Sequence, residues 1–261
     1  MDYALLHAIN TFVIGHPLLA SAAGLLASWI VMAVAVGAIV PWLASGPGVD
    51  ARKRATAGAL AAAAVAMAAN QILSHLWERA RPFAAHPSGI VPIGAASTDP
   101  SFPSDHVAAA TAIAVATWIA YPRAGRTLLV LAGVVAASRL LVGAHYPSDV
   151  LAGGAVGAIS AVATMRLRRT WEPLVAIVAR VTDPVRSRVA ALPGVGRLVG
   201  DSGARAGAVL VAGIVLGSWF AYRMRAHLLD EMPVALLGAW AAAIVWTAVQ
   251  ARGSGDLAAE S

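Results

Sequence analysis

The 261-residue chain contains no cysteine, and only 12% of its residues are charged. The lack of cysteine excludes disulfides, thiolate nucleophiles and cysteine-bound metals. The charged fraction is about half of that in a typical soluble domain. Hydrophobic residues make up 59% of the chain and the mean hydropathy is +0.73, which indicates a polytopic membrane protein. Basic cytoplasmic loops then explain the net charge of +6, so nucleic acid is not an expected partner.

Long apolar runs predict an all-α membrane bundle of about five core transmembrane helices plus two C-terminal ones. Runs of roughly 17–20 apolar residues are long enough to cross the hydrocarbon core of a bilayer. The predicted spans are residues 20–44, 56–76, 104–120, 128–142 and 147–164, followed by 206–222 and 234–249. Residues 2–13 predict a short interfacial helix, and residues 79–102, which are rich in Pro, Gly and Ser, predict a loop.

These spans divide the chain into three parts. Residues 1–168 form the predicted membrane core, and residues 205–261 form the two additional spans with a short tail. Between them, residues 169–204 mix arginines with apolar residues at helical spacing, which favours a cytoplasmic amphipathic segment on an anionic membrane face. A linker with a small packed cytoplasmic helix is an equally good interpretation of this segment.

Basic residues cluster in three loops that lie on one side of the membrane if the spans alternate in direction. These residues are Arg52, Lys53 and Arg54, then Arg123 and Arg126, then Arg166, Arg168 and Arg169. The positive-inside rule makes this side cytoplasmic. The loops around residues 79–106 and 139–149 are then expected together on the outer side.

Those outer loops carry three polar clusters that predict an anion site. Ionisable residues kept at membrane depth are candidates for function, because they are costly there. Arg81 and Arg139 offer planar guanidinium groups that suit a phosphate. Ser104 precedes a predicted helix whose free N–H groups and dipole also favour an anion, and Asp105 follows it at the same helix start. We therefore assign Arg81, Ser104, Asp105 and Arg139 to phosphate binding.

Three further residues beside this site supply the groups needed for phosphoryl transfer. His145 and Asp149 are four residues apart around a predicted helix start, so the carboxylate can fix the imidazole tautomer and leave the other ring nitrogen as a nucleophile. His106 lies one turn into another helix and can protonate the leaving oxygen. Such a site transfers a phosphoryl group without a metal or cofactor.

At this point the chain resembles the type 2 phosphatidic acid phosphatase superfamily in three motifs: Arg81-Pro82, Pro103-Ser104-Asp105-His106, and Ser138-Arg139…His145…Asp149. The resemblance covers roughly residues 1–168, and Asp105 in place of the more usual glycine is similar to the undecaprenyl pyrophosphate phosphatase branch. It implies a membrane phosphatase core with His145 as nucleophile, His106 as acid, Asp149 as orienter, and phosphate ligands at Arg81, Ser104 and Arg139.

The first motif departs from the family pattern, which has a lysine seven residues before the arginine. This position is Ser74, and the chain's single lysine, Lys53, lies far from it. Arg79 and His75 are the nearby cationic residues that can act as auxiliary phosphate ligands in its place. The departure puts phosphate affinity in question more than the chemistry.

The expected function is hydrolysis of undecaprenyl diphosphate to the monophosphate through a phosphohistidine, at the outer face of a bacterial inner membrane. Phosphatidic acid and phosphatidylglycerol phosphate are alternative substrates. A zinc site formed by His75, His106 and His145 is a competing interpretation, against which the neighbouring arginines argue. A lipid-phosphate binder or transporter without catalysis is another, favoured by the missing lysine.

Overall fold

The computed structural model describes residues 1–43, 48–94, 97–173 and 177, and it confirms the predicted all-α fold. No β-strand occurs in these ranges. The helices are α1 (Asp2–Ile14), α2 (Pro17–Leu43), α3 (Val49–Leu76), α4 (Pro82–Ala85), α5 (Asp105–Ala120), α6 (Pro122–Leu141) and α7 (Pro147–Arg166). The predicted segment 205–261 and most of 169–204 lie outside the described residues.

The five predicted core spans all correspond to helices. α2, α3, α6 and α7 each contain a stretch long and apolar enough to cross a membrane, whereas α5 is apolar but has only 16 residues. α6 begins at Pro122 rather than at residue 128, because Pro122 is suited to the first helical turn. The predicted loop 79–102 contains one short helix, α4.

α5 lies at the centre of the bundle, packed against α3, α6 and α7. Its buried face is built largely of alanines, and small side chains allow helices in a membrane to approach closely. The closest approach is to α7. A Cβ atom added at Gly153 would lie 2.5 Å from the Ser104 carbonyl oxygen, and one at Gly157 would lie 2.3 Å from the Ala108 carbonyl oxygen. Only glycine therefore allows this packing.

The polar clusters meet at one end of the bundle. The C-terminal ends of α3 and α6 and the N-terminal ends of α5 and α7 converge there, and a backbone hydrogen bond from Ser104 N–H to the Asp149 carbonyl ties two of them together. The N-terminal helix α1 lies against the same end: Leu6 packs in a cluster with Ile90 and Tyr146. The fold therefore brings three segments that are distant in sequence to one place.

Candidate active site

The start of α5 presents a buried hydroxyl that lacks a partner. Ser104 is the N-cap of α5 and is fully buried. Its Oγ, like the Nε of the buried Arg139 in the last turn of α6, has no hydrogen-bond partner among the described residues. Buried polar groups are normally satisfied. An unpaired hydroxyl and an unpaired guanidinium nitrogen beside a helix N-terminus therefore fit an anionic ligand.

Asn70, in the apolar helix α3, holds the turn that precedes α5. Its side chain is fully buried, and Nδ2 donates to the Pro103 carbonyl oxygen at 3.1 Å and to Asp105 Oδ1 at 2.6 Å. The structure therefore gives the Asp105 side chain a partner within the protein, and its predicted role in phosphate binding stays a prediction. A carboxylate repels an anion, and here it is an acceptor that fixes the position of the helix start.

Arg81 joins the loop between α3 and α5 to the residues before α7. Its Nε donates to the Asp99 carbonyl oxygen at 2.9 Å, and its Nη1 lies 3.3 Å from the Ala144 carbonyl oxygen and 3.4 Å from His145 Nε2. Burial lowers the pKa of the Arg81 guanidinium, and nearby carboxylates, Asp99 first, partly offset this effect. The guanidinium thus lies beside the ring nitrogen predicted to be the nucleophile.

The orientation of His145 differs from the predicted arrangement. Its Nδ1 donates to the Ser101 carbonyl oxygen at 2.7 Å, while the nearest Asp149 oxygen is 3.8 Å away. Because a carbonyl oxygen only accepts, the hydrogen is assigned to Nδ1, and the lone pair is then on Nε2. The backbone of Ser101 therefore fixes the tautomer, and Asp149 adds negative charge nearby.

Asp149 is fully buried, and its carboxylate has three donors. Oδ2 accepts from Ser101 Oγ at 2.5 Å and from the Tyr146 N–H at 2.9 Å. Oδ1 accepts from Arg79 Nη1 at 2.7 Å. The buried carboxylate is thus held by a hydroxyl, a backbone amide and a guanidinium.

Arg79 therefore has different partners from those predicted. Besides Asp149, its guanidinium donates from Nη2 to Asp2 Oδ2 at 2.8 Å. Burial alone would lower the pKa of Arg79, but the hydrogen bond to Asp2 and the charges of both carboxylates raise it above the ordinary value. Arg79 thus has a carboxylate on each of its two terminal nitrogens, and its auxiliary role in phosphate binding remains a prediction.

The remaining predicted residues lie at the edges of the site. His106 is exposed, in the first turn of α5, and interacts electrostatically with Arg139, His145, Asp105 and Arg81. Ser74 Oγ and His75 Nδ1 both bond the Gln71 carbonyl oxygen within α3, and His75 is exposed. Neither residue has a hydrogen bond to the three clusters, so an auxiliary role for His75 remains a prediction.

The zinc interpretation finds no support in the arrangement of side chains. Within the described ranges, no three His, Asp or Glu side chains are grouped closely enough to hold a metal ion. His75, His106 and His145 in particular are not brought together as a ligand set.

Three residues in this site were not predicted from the sequence. Asn70 had a usable signal, because an amide inside an apolar span is costly unless it has a partner. Ser101, three residues before Ser104, had only its proximity to the second motif. For Asp2 the sequence contains no usable signal, because its partner Arg79 is 77 residues away.

Fold and site together define a multi-pass helical membrane protein with a candidate anion site beside two histidines. The family model described as PAP2 superfamily matches residues 55–173, which include all three polar clusters. With the relatives described next, this match shows that the chain belongs to the PAP2 superfamily. No solved structure matches the chain significantly.

Curated relatives point to lipid phosphatases. The chain is 31% identical to undecaprenyl-diphosphatase BcrC of Bacillus subtilis, over 48% of this chain and 63% of that protein. It is 32% identical to Escherichia coli YbjG, which is provisionally named an undecaprenyl-diphosphatase; the match covers 62% of this chain and 81% of that protein. It is also 32% identical to decaprenylphosphoryl-5-phosphoribose phosphatase of Mycobacterium tuberculosis; that match covers 60% of this chain and 85% of that protein. The chain thus spans less than two thirds of the length of the Bacillus subtilis relative.

Proposed function

We propose that this protein hydrolyses an isoprenoid diphosphate, undecaprenyl diphosphate, to the monophosphate without a metal. The observation that carries the proposal is the environment of His145. Its Nδ1 is bonded to the Ser101 carbonyl oxygen, so the lone pair is on Nε2, 3.4 Å from a guanidinium nitrogen of Arg81. Ser104 Oγ and Arg139 Nε, which have no partner in the described part of the chain, supply two more donors for the phosphoryl oxygens.

In the proposed reaction, His145 Nε2 attacks the terminal phosphorus. The bond from phosphorus to the bridging oxygen breaks, and His106 protonates the departing lipid monophosphate. Arg81, Arg139 and the α5 N-terminus stabilise charge on the transferring group. His106, now neutral, then takes a proton from water, whose oxygen attacks phosphorus and releases phosphate and His145.

The choice of an isoprenoid substrate rests on the printed names of the relatives. BcrC is named for undecaprenyl diphosphate, whereas the mycobacterial protein is named for a decaprenyl phosphate sugar. Both names share a polyprenyl chain with a phosphate group. Phosphatidic acid and phosphatidylglycerol phosphate remain the alternative substrates, because the phosphate site itself does not distinguish lipid tails.

The test is phosphate release by the purified full chain against a panel of these lipids in EDTA. We expect the highest kcat/KM on undecaprenyl diphosphate, with His145→Ala inactive and His16→Ala, an exposed histidine outside the site, unchanged. Activity that disappears in EDTA and returns with a divalent ion would contradict metal independence. A higher kcat/KM on phosphatidic acid would transfer the assignment to that substrate.

A lipid-phosphate binder without catalysis is the second candidate, and the serine at the position of the motif lysine favours it. The two candidates differ in covalent chemistry. A phosphatase should form a protein-bound, acid-labile phosphate from labelled substrate that is absent in His145→Ala, because N–P bonds hydrolyse readily in acid. A binder should retain the lipid intact in both proteins.

We place the site at the outer face of the inner membrane. The bundle end that carries the site is opposite the end where α5 and α6 meet, which bears Arg123 and Arg126. The positive-inside rule makes the latter end cytoplasmic. An outward-facing site would act on lipid diphosphates released on the outer leaflet.

A further inference from the structure

The N-terminal helix α1 is fixed to the loop between α4 and α5 by three polar contacts. Asn10 is buried, and its side chain donates to the Val91 carbonyl oxygen at 3.0 Å and accepts from the Val91 N–H at 2.9 Å. His7 Nδ1 lies 2.7 Å from the Gly89 carbonyl oxygen. These contacts hold α1 in place independently of its first residues.

The first turn of α1 places Asp2 against Arg79 and the start of α7. Asp2 Oδ2 accepts from Arg79 Nη2 at 2.8 Å, and Oδ1 accepts from the Ser148 N–H at 3.1 Å. Burial would raise the pKa of Asp2, but the hydrogen bonds from Ser148 and Arg79 lower it below its ordinary value. Asp2 is therefore a charged partner for Arg79 at neutral pH.

Arg79 in turn is the counter-ion of a carboxylate that has no access to solvent. Asp149 is fully buried, and a buried carboxylate without an opposite charge is strongly destabilising. Arg79 Nη1 binds Asp149 Oδ1 at 2.7 Å while Nη2 binds Asp2. The Arg79 guanidinium carbon also lies 3.9 Å from the centre of the Tyr146 ring, which limits its movement.

We propose that Asp2 is a positioning residue, which acts through Arg79 to hold Asp149 beside His145. The inference rests on the proposed function of His145. It makes α1 part of the active site, although this helix lies outside residues 55–173 that match the family model. In this arrangement Asp2 and Arg79 act on the phosphorylated imidazolium through Asp149 and do not contact the phosphate.

Removal of the Asp2 charge should therefore change turnover more than substrate affinity. Arg79 would lose one of its two carboxylates, and Asp149, now 3.8 Å from His145 Nδ1, would be held by Ser101, by Tyr146 and by a less firmly placed guanidinium. The phosphate ligands Arg81, Ser104 and Arg139 would keep their places. Loss of one charge-assisted hydrogen bond predicts a decrease in kcat of about tenfold.

The experiment compares Asp2→Asn, Asp2→Glu and Asp2→Ala in the full chain, with Glu78→Gln as the matched control. Glu78 is an exposed carboxylate next to Arg79 in sequence. We expect Asp2→Asn and Asp2→Ala to lower kcat about tenfold with KM within about twofold of the wild type. Asp2→Glu should recover most of the activity, and Glu78→Gln should behave as wild type. A rise in KM with unchanged kcat would overturn the inference.

A double-mutant cycle tests whether Asp2 acts through Arg79. Asp2→Asn should have a much smaller effect in an Arg79→Gln background, because its interaction with Arg79 is already lost and only its contacts with Ser148 remain to be changed. Independent, multiplicative effects of the two changes would contradict a shared path. Retention of thermal stability by Asp2→Asn, expected from the intact Asn10 and His7 contacts, separates positioning from unfolding.

A second measurement keeps the inference distinct from the proposed function. If the wild type releases no phosphate from any lipid tested, the proposed function fails. The positioning of His145 can then still be measured by the rate at which diethyl pyrocarbonate modifies its imidazole. His145 is almost fully buried in the native protein. We expect faster modification of His145 in Asp2→Asn and no change in Glu78→Gln. Equal rates in all three proteins would overturn the positioning role.

Discussion

Replacement of Gly153 by alanine should damage catalysis more than stability, because this glycine sets the distance between the two halves of the site. The added Cβ would lie 2.5 Å from the Ser104 carbonyl oxygen and 3.3 Å from the Ser104 nitrogen. These are backbone atoms, so no side chain can move aside. α7 and α5 must separate by about 0.5 Å to reach even the shortest tolerable contact.

That separation acts on the bond that joins the two helix starts. The Ser104 N–H donates to the Asp149 carbonyl oxygen at 3.1 Å, so a shift of about 0.5–0.9 Å brings it to or beyond the limit of a hydrogen bond. Overpacking of this kind costs about 1–3 kcal/mol in stability. A misplacement approaching 1 Å between reacting groups lowers turnover by roughly ten- to a hundredfold.

The assay measures thermal unfolding and phosphate release for Gly153→Ala together with two other glycine substitutions. At Gly154, next in the chain, an added Cβ would meet only a Val107 methyl group at 4.0 Å, so Gly154→Ala should resemble wild type. At Gly157 the clash with the Ala108 carbonyl oxygen is as severe but lies one turn farther from the site. Gly157→Ala should therefore lose stability with a smaller loss of kcat. Equal losses of kcat in Gly153→Ala and Gly154→Ala would refute the reasoning.

Other predictions follow from single contacts. Arg139→Ala should raise KM roughly tenfold or more, measured by steady-state kinetics, because it removes a proposed charged phosphate ligand. Asn70→Leu should lower thermal stability by about 1–3 kcal/mol, since it leaves Asp105 Oδ1 without its donor; stability equal to wild type would contradict the role of the amide. In this cysteine-free chain, Ser88→Cys should react with an impermeant thiol reagent in intact cells and Ala124→Cys only after lysis, and the reverse labelling would overturn the proposed orientation.

The helices could be predicted from sequence because apolar runs bounded by Gly, Pro and arginine report directly on membrane burial. The start of α6 was the exception. Arg123 and Arg126 favour a loop in the sequence, but both are exposed near the start of a helix that begins with Pro122. At a helix end the long arginine side chain can keep its charge outside the apolar region.

The site residues could be predicted as a set, but their pairings could not. The spacing of His145 and Asp149 suggested a direct bond, whereas the carbonyl oxygen of Ser101 occupies that position, 44 residues earlier in the chain. Such a contact depends on how the loop before α5 passes the start of α7, which no local pattern encodes. The same reason explains why the sequence offers Arg79 only as an auxiliary phosphate ligand: its two carboxylate partners are 70 and 77 residues away.

The position of Arg79 also bears on the missing lysine. With Asp2 and Asp149 on its two terminal nitrogens, Arg79 brings no net positive charge to a ligand, so the candidate phosphate site relies on Arg81, Arg139 and the α5 N-terminus. Asp99 and Asp105 interact electrostatically with Arg81 and reduce its effect further. With so little excess positive charge, the site can position a bound phosphate by directed hydrogen bonds but attracts anions only weakly. The lipid tail in the bilayer must then supply much of the binding energy, which would make short water-soluble phosphate esters poor substrates by KM.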